Sequence, residues 1–132
     1  MRLQGGGIWS LGLITTTDST LVNADYYLTG IKGSNNFILN VWWKISKRDS
    51  LFVITNGSVT AGIYSENQIF NVQQINISNN DTVWAKHFLN FTLNTHSTDT
   101  IIVRLNGGVA RSSMHMESDG LFLFDRIQLT KQ

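Results

Sequence analysis

The stretch Gly120-Leu121-Phe122-Leu123-Phe124-Asp125-Arg126-Ile127-Gln128-Leu129, close to the end of the chain, decides the fold. A terminal segment this apolar frays unless it is paired inside a sheet, so we predict that it is a β-strand. Side chains alternate between the two faces of a strand. Period two predicts an aliphatic face of Leu121, Leu123, Asp125, Ile127 and Leu129, and a reverse face of Phe122, Phe124, Arg126 and Gln128. The aliphatic face is expected to join the core, and the aromatic face is the one to examine for function.

Asp125 is the one charged residue on the aliphatic face of this strand. A charge taken out of water is costly unless it is paired or hydrogen-bonded. Asp125 is therefore predicted to have a structural role, bonding backbone amides or a basic side chain such as Arg104.

Short apolar runs alternate with Gly, Asn, Asp and Ser along the whole chain, and no segment keeps a helical period beyond one turn. Such spacing is typical of all-β proteins, so we predict an antiparallel β-sandwich of jelly-roll type. Asn56-Gly57 is the strongest hairpin signal and predicts a tight turn between the strands on either side of it. The predicted strands are Gly7–Thr16, Tyr26–Ile31, Asn36–Ser46, Leu51–Thr55, Val59–Tyr64, Ile69–Ile77, Val83–Leu93, Thr100–Leu105, Ser112–Met116 and Leu121–Thr130.

The composition limits the classes of protein to which the chain can belong. A length of 132 residues fits one domain, residues 1–132, which we expect to be part of a longer chain or a larger assembly. Charged residues make up 14% and the net charge is +1, so no overall field recruits nucleic acid or an acidic membrane. The absence of Cys excludes disulfides and thiol catalysis. This polar, weakly charged composition is common in extracellular and virion β-proteins, which is the predicted location, although no signal peptide is visible.

Catalytic motifs are missing from the sequence. His87, His96 and His115 lie in separate segments without metal-ligand spacing, and most acids lie at turns. We therefore predict a non-catalytic protein without a cofactor; a small glycosidase stays open only because turn acids can converge in space. Turns at His115–Gly120, or Asp18 with Asn23 and Asp25, offer oxygen ligands for a structural calcium ion, but plain turns are the simpler interpretation.

Aromatic residues on polar strand faces carry the main functional signal. Trp42 is flanked by Asn40 and Lys44, and Trp84 is flanked by Lys86 and followed by Phe88. A sugar ring needs a flat aromatic surface for its C–H face and polar groups for its hydroxyls. The sequence predicts a carbohydrate site in which the ligand stacks on Trp42 or Trp84, with polar contacts from Asn40, Lys44, Lys86, Arg104 and Arg126.

The same aromatics also fit a structural protein. Trp42, Trp84, Tyr64 and Phe88 would then be buried against a second sheet, a loop or a neighbouring subunit. Such a chain would be a trimeric phage tail fibre or spike domain, or an extracellular filament subunit. The apolar segment Gly7–Thr16 would be a strand donated between subunits, since added strands supply main-chain hydrogen bonds.

Three segments resemble the jelly-roll carbohydrate-binding modules attached to bacterial cellulases and xylanases. They are Phe37-Ile38-Leu39-Asn40-Val41-Trp42-Trp43-Lys44, Trp84-Ala85-Lys86-His87-Phe88-Leu89-Asn90-Phe91-Thr92-Leu93 and Leu121-Phe122-Leu123-Phe124-Asp125-Arg126-Ile127-Gln128-Leu129. The resemblance runs from about Tyr26 to the end of the chain and implies a sandwich that binds oligo- or polysaccharide. The usual opening of such modules is replaced here by Gly5-Gly6-Gly7-Ile8-Trp9, and the family's acidic calcium cluster is not evident.

Overall fold

The computed structural model of the protein describes residues 11–15, 23–47, 52–55, 57–78, 80–107, 109–112 and 120–132. Within these ranges the regular structure is entirely β. The strands are β1 (Leu11–Thr15), β2 (Asn23–Thr29), β3 (Gly33–Lys47), β4 (Phe52–Thr55), β5 (Ser58–Ser65), β6 (Gln68–Asn76), β7 (Ala85–Thr95), β8 (Thr100–Asn106), β9 (Val109–Ser112) and β10 (Gly120–Lys131). The described part of the chain contains no helix long and apolar enough to cross a membrane.

Two four-stranded antiparallel sheets form the body of the protein. The first has the order β1-β10-β3-β7 and the second the order β2-β8-β5-β6, while β4 and β9 pair separately. All strand pairings are antiparallel. The predicted β-sandwich is confirmed, and its jelly-roll type, with which these strand orders are compatible, stays a prediction.

The core lies between the two sheets and is built from alternate residues of the long strands. On β3 the inward side chains are the alternate apolar residues of the strand, and each is 2% exposed or less. Aliphatic residues of the second sheet, among them Val59, Val103 and Leu105, pack in the same cluster. Burial of apolar area from both sheets is the main term holding them together. The inward residues of β3 are Phe37, Leu39, Val41, Trp43 and Ile45.

The period-two interpretation of the final strand is wrong over half of its length. Phe122 and Phe124 are buried in the core, whereas Leu123 lies on the outer face. The reason is a β-bulge between Asp125 and Gln128, where the pairing with β3 shifts by one residue. An extra residue reverses the alternation of side chains, so strands with bulges change faces. Beyond the bulge, Ile127 points inward as predicted.

The hairpin predicted at Asn56-Gly57 is also wrong. Phe52–Thr55 pairs with β9, whereas Ser58–Ser65 lies between β6 and β8. Asn56 lies outside the described residues. Gly57 is buried, and a Cβ atom there would come within 3.3 Å of the Ile77 and Phe122 side chains. A larger residue at this position would therefore be tightly packed, and the Gly57 carbonyl accepts a hydrogen bond from the Ile77 N–H at 2.9 Å.

Two of the predicted strands lie partly outside the described residues. Residues 113–116 of the predicted strand Ser112–Met116 are not described, and the described strand before them, Val109–Ser112, was not predicted over residues 109–111. Within Gly7–Thr16, the described strand is Leu11–Thr15, and it pairs with β10 of the same chain. In this structure the segment therefore completes its own sheet.

Candidate functional site

The outer face of the first sheet brings together six of the seven predicted carbohydrate-binding residues. Residues directly opposite each other on paired strands share a face, with Cβ atoms about 4.5–5.5 Å apart. Trp42 is opposite Lys86 on β7, and Asn40 is opposite Phe88. On the other side of β3, Asn40 is opposite Gln128 of β10. The six residues on this face are Asn40, Trp42, Lys44, Trp84, Lys86 and Arg126.

A pocket of about 260 Å³ opens on this face, which we call the tryptophan pocket. Trp42, Trp84, Asp125 and Arg126 line it. Trp42 is half-buried in the middle of the sheet, whereas Trp84 immediately precedes β7 and is 37% exposed. The volume of the tryptophan pocket is close to the lower end of the range usual for small-molecule sites, roughly 300–1,000 Å³. Two indoles, the Asp125 carboxylate and the Arg126 guanidinium therefore surround a space that admits about one ring of a ligand.

The bulge of β10 shapes one wall of this pocket. Arg126 has a φ of 47°, in the left-handed region that few non-glycine residues adopt. Its guanidinium carbon lies 6.0 Å from the centre of the Trp42 ring. Bulges often re-aim a side chain beside a functional site. Here the bulge residue Arg126 has its guanidinium beside the Trp42 ring.

Asp125 is part of the pocket, which sequence reasoning missed. Its register partner is Trp42, so it belongs to the outer face, yet it is only 3% exposed. One carboxylate oxygen accepts a hydrogen bond from the backbone N–H of Arg126 at 2.7 Å. The predicted bonding to a backbone amide is confirmed, although the expected partner Arg104 lies elsewhere. The signal in the sequence was a charge within an apolar alternation, which can mark a change of face.

Two lysines flank the indoles. The Lys44 ammonium lies 5.5 Å from the centre of the Trp84 ring. Lys86 projects from β7 beside Trp42, with which it is in register. Neither lysine makes an ion pair with any residue that the structure describes. Both ammonium groups are therefore available to a ligand at the rim of the pocket.

Arg104 is the predicted site residue that the structure places apart from the others. It lies on β8 in the second sheet, opposite Asp25 of β2. Its Nε and Nη2 groups donate hydrogen bonds to the two Asp25 oxygens at 2.8 and 3.0 Å. This bonding raises the pKa of the Arg104 guanidinium. Because Arg104 lies on the second sheet and forms this bidentate pair with Asp25, it is a cross-strand residue there rather than part of the tryptophan pocket.

Tyr64 also belongs to the second sheet. Its ring packs against Tyr27 with the centroids 5.3 Å apart, and its hydroxyl is 3.0 Å from the side-chain oxygen of Asn67. Of the aromatic set named from the sequence, Phe88 remains with the two tryptophans, on the outer face of β7, where it is 63% exposed. The aromatic surface therefore consists of Trp42, Trp84 and Phe88.

His87 faces the opposite way, into the core beneath the site. Its ring stacks on Trp43 with centroids 3.5 Å apart and an angle of 3° between the planes. Its Nε2 atom is buried without a hydrogen-bond partner among the described residues. Burial lowers the pKa of His87, and the nearby Asp81 carboxylate opposes this in part. Burial thus favours the neutral form of His87 in the folded protein.

This lowered pKa predicts a loss of stability in mild acid. In the unfolded chain His87 is protonated below about pH 6.5, whereas in the folded chain its lowered pKa disfavours protonation. The free energy of unfolding is therefore highest above that pH and falls as the pH drops below it. We expect the urea midpoint to decrease between pH 7.5 and 5.5. In a His87→Phe variant, which keeps a stacked ring, this decrease should largely disappear. His96→Gln serves as the control and should retain it; equal pH dependence in wild type and His87→Phe would contradict the account.

The calcium sites considered from the sequence gain no support. No group of three or more His, Asp or Glu residues among the described ranges is placed to hold a metal ion. Asp25 is engaged by Arg104, while Asp18 and residues 113–119 lie outside what the structure describes.

Comparisons with known proteins give a distant likeness among solved structures. No protein-family model matches the chain, and no curated protein matches it. Among solved structures, a chain described as Family 16 Carbohydrate Binding Module-2 superposes with a TM-score of 0.48 at 15% sequence identity. The alignment covers 90% of this chain and 75% of the other. No residue role is carried over from this likeness.

Proposed function

We propose that the protein is a non-catalytic carbohydrate-binding β-sandwich whose ligand stacks on Trp42 and Trp84. The observation that carries the proposal is the convergence of two indoles and four polar side chains on one sheet face around the tryptophan pocket. Indole faces cover the apolar C–H surface of a sugar ring, and convergent polar groups bond the hydroxyls around it. The protein would act as an appended module or as the receptor-facing tip of a larger surface or virion protein.

The polar side chains around the pocket have distinct parts in this proposal. Arg126 and Lys44 bound the two indoles and can donate hydrogen bonds to hydroxyl oxygens. Asn40 lies two residues before Trp42 on β3, and its side-chain amide offers both a donor and an acceptor. The Asp125 carboxylate at the pocket wall accepts hydrogen bonds from hydroxyls.

The experiment is a glycan-array screen followed by calorimetric titration of the best soluble oligosaccharide. Trp84→Ala removes an exposed stacking surface, so we expect affinity to fall at least about tenfold with little change in thermal stability. Phe70→Ala is the matched control, since Phe70 is an exposed aromatic on the edge strand β6 of the other sheet. Its affinity should equal that of the wild type. Binding to no glycan, or unchanged binding by Trp84→Ala, would defeat the proposal.

Exposed apolar side chains at β7 favour a second function, that of a self-assembling structural subunit. Val83 is 70% exposed and Phe88 is 63% exposed, and both lie near Trp84. In such an assembly a neighbouring chain would cover these side chains. Light scattering over a dilution series separates the two functions. A monomer at all concentrations supports the module, and a trimer or polymer that resists dilution supports the structural subunit.

A further inference from the structure

The charges on the outer face of the first sheet are unbalanced. Among its described side chains there are three cations, Lys44, Lys86 and Arg126, and one carboxylate, Asp125. This excess is local, because the whole chain has a formal net charge of only +1. Since Lys44 and Lys86 make no ion pair with a described residue, their charge is offset only by solvent and by the indole rings. The rim of the tryptophan pocket is therefore electropositive.

The cations also lie where a ligand ring would bind. Lys44 is 5.5 Å from the centre of Trp84, and Arg126 is 6.0 Å from the centre of Trp42. A cation–π contact at an exposed site is worth only about 0.5–1 kcal/mol, so the Lys44 ammonium, which makes no ion pair with a described residue, moves aside at small cost. A neutral sugar that stacks on either indole gives the displaced cation no new charge partner. A sugar that carries an anion gives it one, through a charge-assisted hydrogen bond.

We propose that the ligand is an acidic saccharide, a sugar ring bearing a carboxylate or sulfate group. This inference rests on the proposed carbohydrate function and specifies its ligand. The C–H face of the ring stacks on Trp42 or Trp84. The anionic group lies at the rim between Lys44 and Lys86, away from Asp125, which is held on the bulge amide.

Aromatic and basic side chains together also suit single-stranded nucleic acid, but the charges here favour the saccharide. Nucleic-acid grooves follow a backbone with many phosphates and carry a matching series of cations. The rim of the tryptophan pocket instead presents two lysines without an ion pair to a described residue, Lys44 and Lys86, which suit a single anionic group.

The test is a calorimetric comparison of ligands that differ only in charge. Oligogalacturonate, its carboxyl-reduced neutral counterpart, and a sulfated form of that neutral oligomer are titrated into wild-type protein at low and high salt. We expect at least one anionic oligomer to bind tenfold or more tightly than the neutral one, with the preference shrinking as salt is raised. A Lys44→Gln/Lys86→Gln variant should lose the preference. A Lys32→Gln/Lys131→Gln variant, altered at exposed lysines outside the pocket, should keep it; circular dichroism checks that both are folded.

The outcomes separate this inference from the function on which it rests. Equal or tighter binding of neutral oligosaccharides would overturn the acidic preference and leave carbohydrate binding standing. Tighter binding of an oligothymidylate than of any anionic saccharide would likewise overturn it in favour of nucleic acid. Binding to no saccharide, neutral or acidic, would overturn both proposals.

Discussion

Replacing Phe124 with Ala is expected to lower the free energy of unfolding by about 3–5 kcal/mol. Phe124 is fully buried, and it lies in register with Trp43 of β3 at the centre of the first sheet. Truncation removes most of the ring's contacts with the core and leaves a cavity that the surrounding strands can only partly close. Urea denaturation followed by circular dichroism measures the change.

Leu123→Ala, one residue earlier, is the matched control for this change. Leu123 is half-buried on the outer face, so its truncation should cost less than half as much as that of Phe124. A strict two-residue alternation through Asp125 and Ile127 reverses this order, because it places Leu123 in the core. A larger loss for Leu123→Ala than for Phe124→Ala would therefore contradict the bulge and the faces it sets.

Trp43→Ala should be as destabilising, about 3–5 kcal/mol. Trp43 is 1% exposed and stacks on His87, and its indole N–H donates a hydrogen bond to Asp81 at 2.9 Å. The same Asp81 oxygen accepts from the Ser78 N–H at 2.9 Å, while the Asp81 carbonyl accepts from Ile45 N–H at 2.7 Å. The indole thus links the core to the segment that leads into β7, and its loss leaves a cavity and a carboxylate with one donor fewer.

Trp42→Ala tests the neighbouring tryptophan, which faces the other way. It should lower stability by less than about 1.5 kcal/mol, since Trp42 is only half-buried, but abolish measurable saccharide binding. Thermal unfolding and calorimetric titration of the two variants separate the faces of β3. Binding retained by Trp42→Ala, or stability retained by Trp43→Ala, would show that the faces are assigned wrongly.

The sequence predicts the faces of β3 and β7 because their alternation is unbroken. In β3, apolar residues alternate without interruption from Phe37 to Ile45, and the structure buries all of them. In β10 the same reasoning fails at Arg126. A bulge depends on backbone conformation, and the alternation of apolar residues in the sequence does not reveal it. Likewise Asn56-Gly57 has the residue types of a tight turn, while Gly57 lies in close packing against Ile77 and Phe122.

The candidate site depends on strand order, which local patterns do not contain. Trp42, Lys86 and Arg126 come together because β3 pairs with β7 on one side and with β10 on the other. Arg104 has the same local pattern, a basic residue on a polar strand face, but β8 belongs to the second sheet and pairs it with Asp25. The residue types predicted the chemistry of the outer face. Only the strand order shows that Arg104 does not lie on it.

The central claim is that a saccharide binds on the outer face at Trp42 and Trp84, and nuclear magnetic resonance tests it on the unmodified protein. The indole N–H signals are followed while an anionic oligosaccharide is added. We predict saturable shifts of the Trp42 and Trp84 signals, with the Trp43 signal unmoved because its N–H is buried and bonded to Asp81. Saturable binding that leaves the Trp42 and Trp84 signals in place would contradict the account.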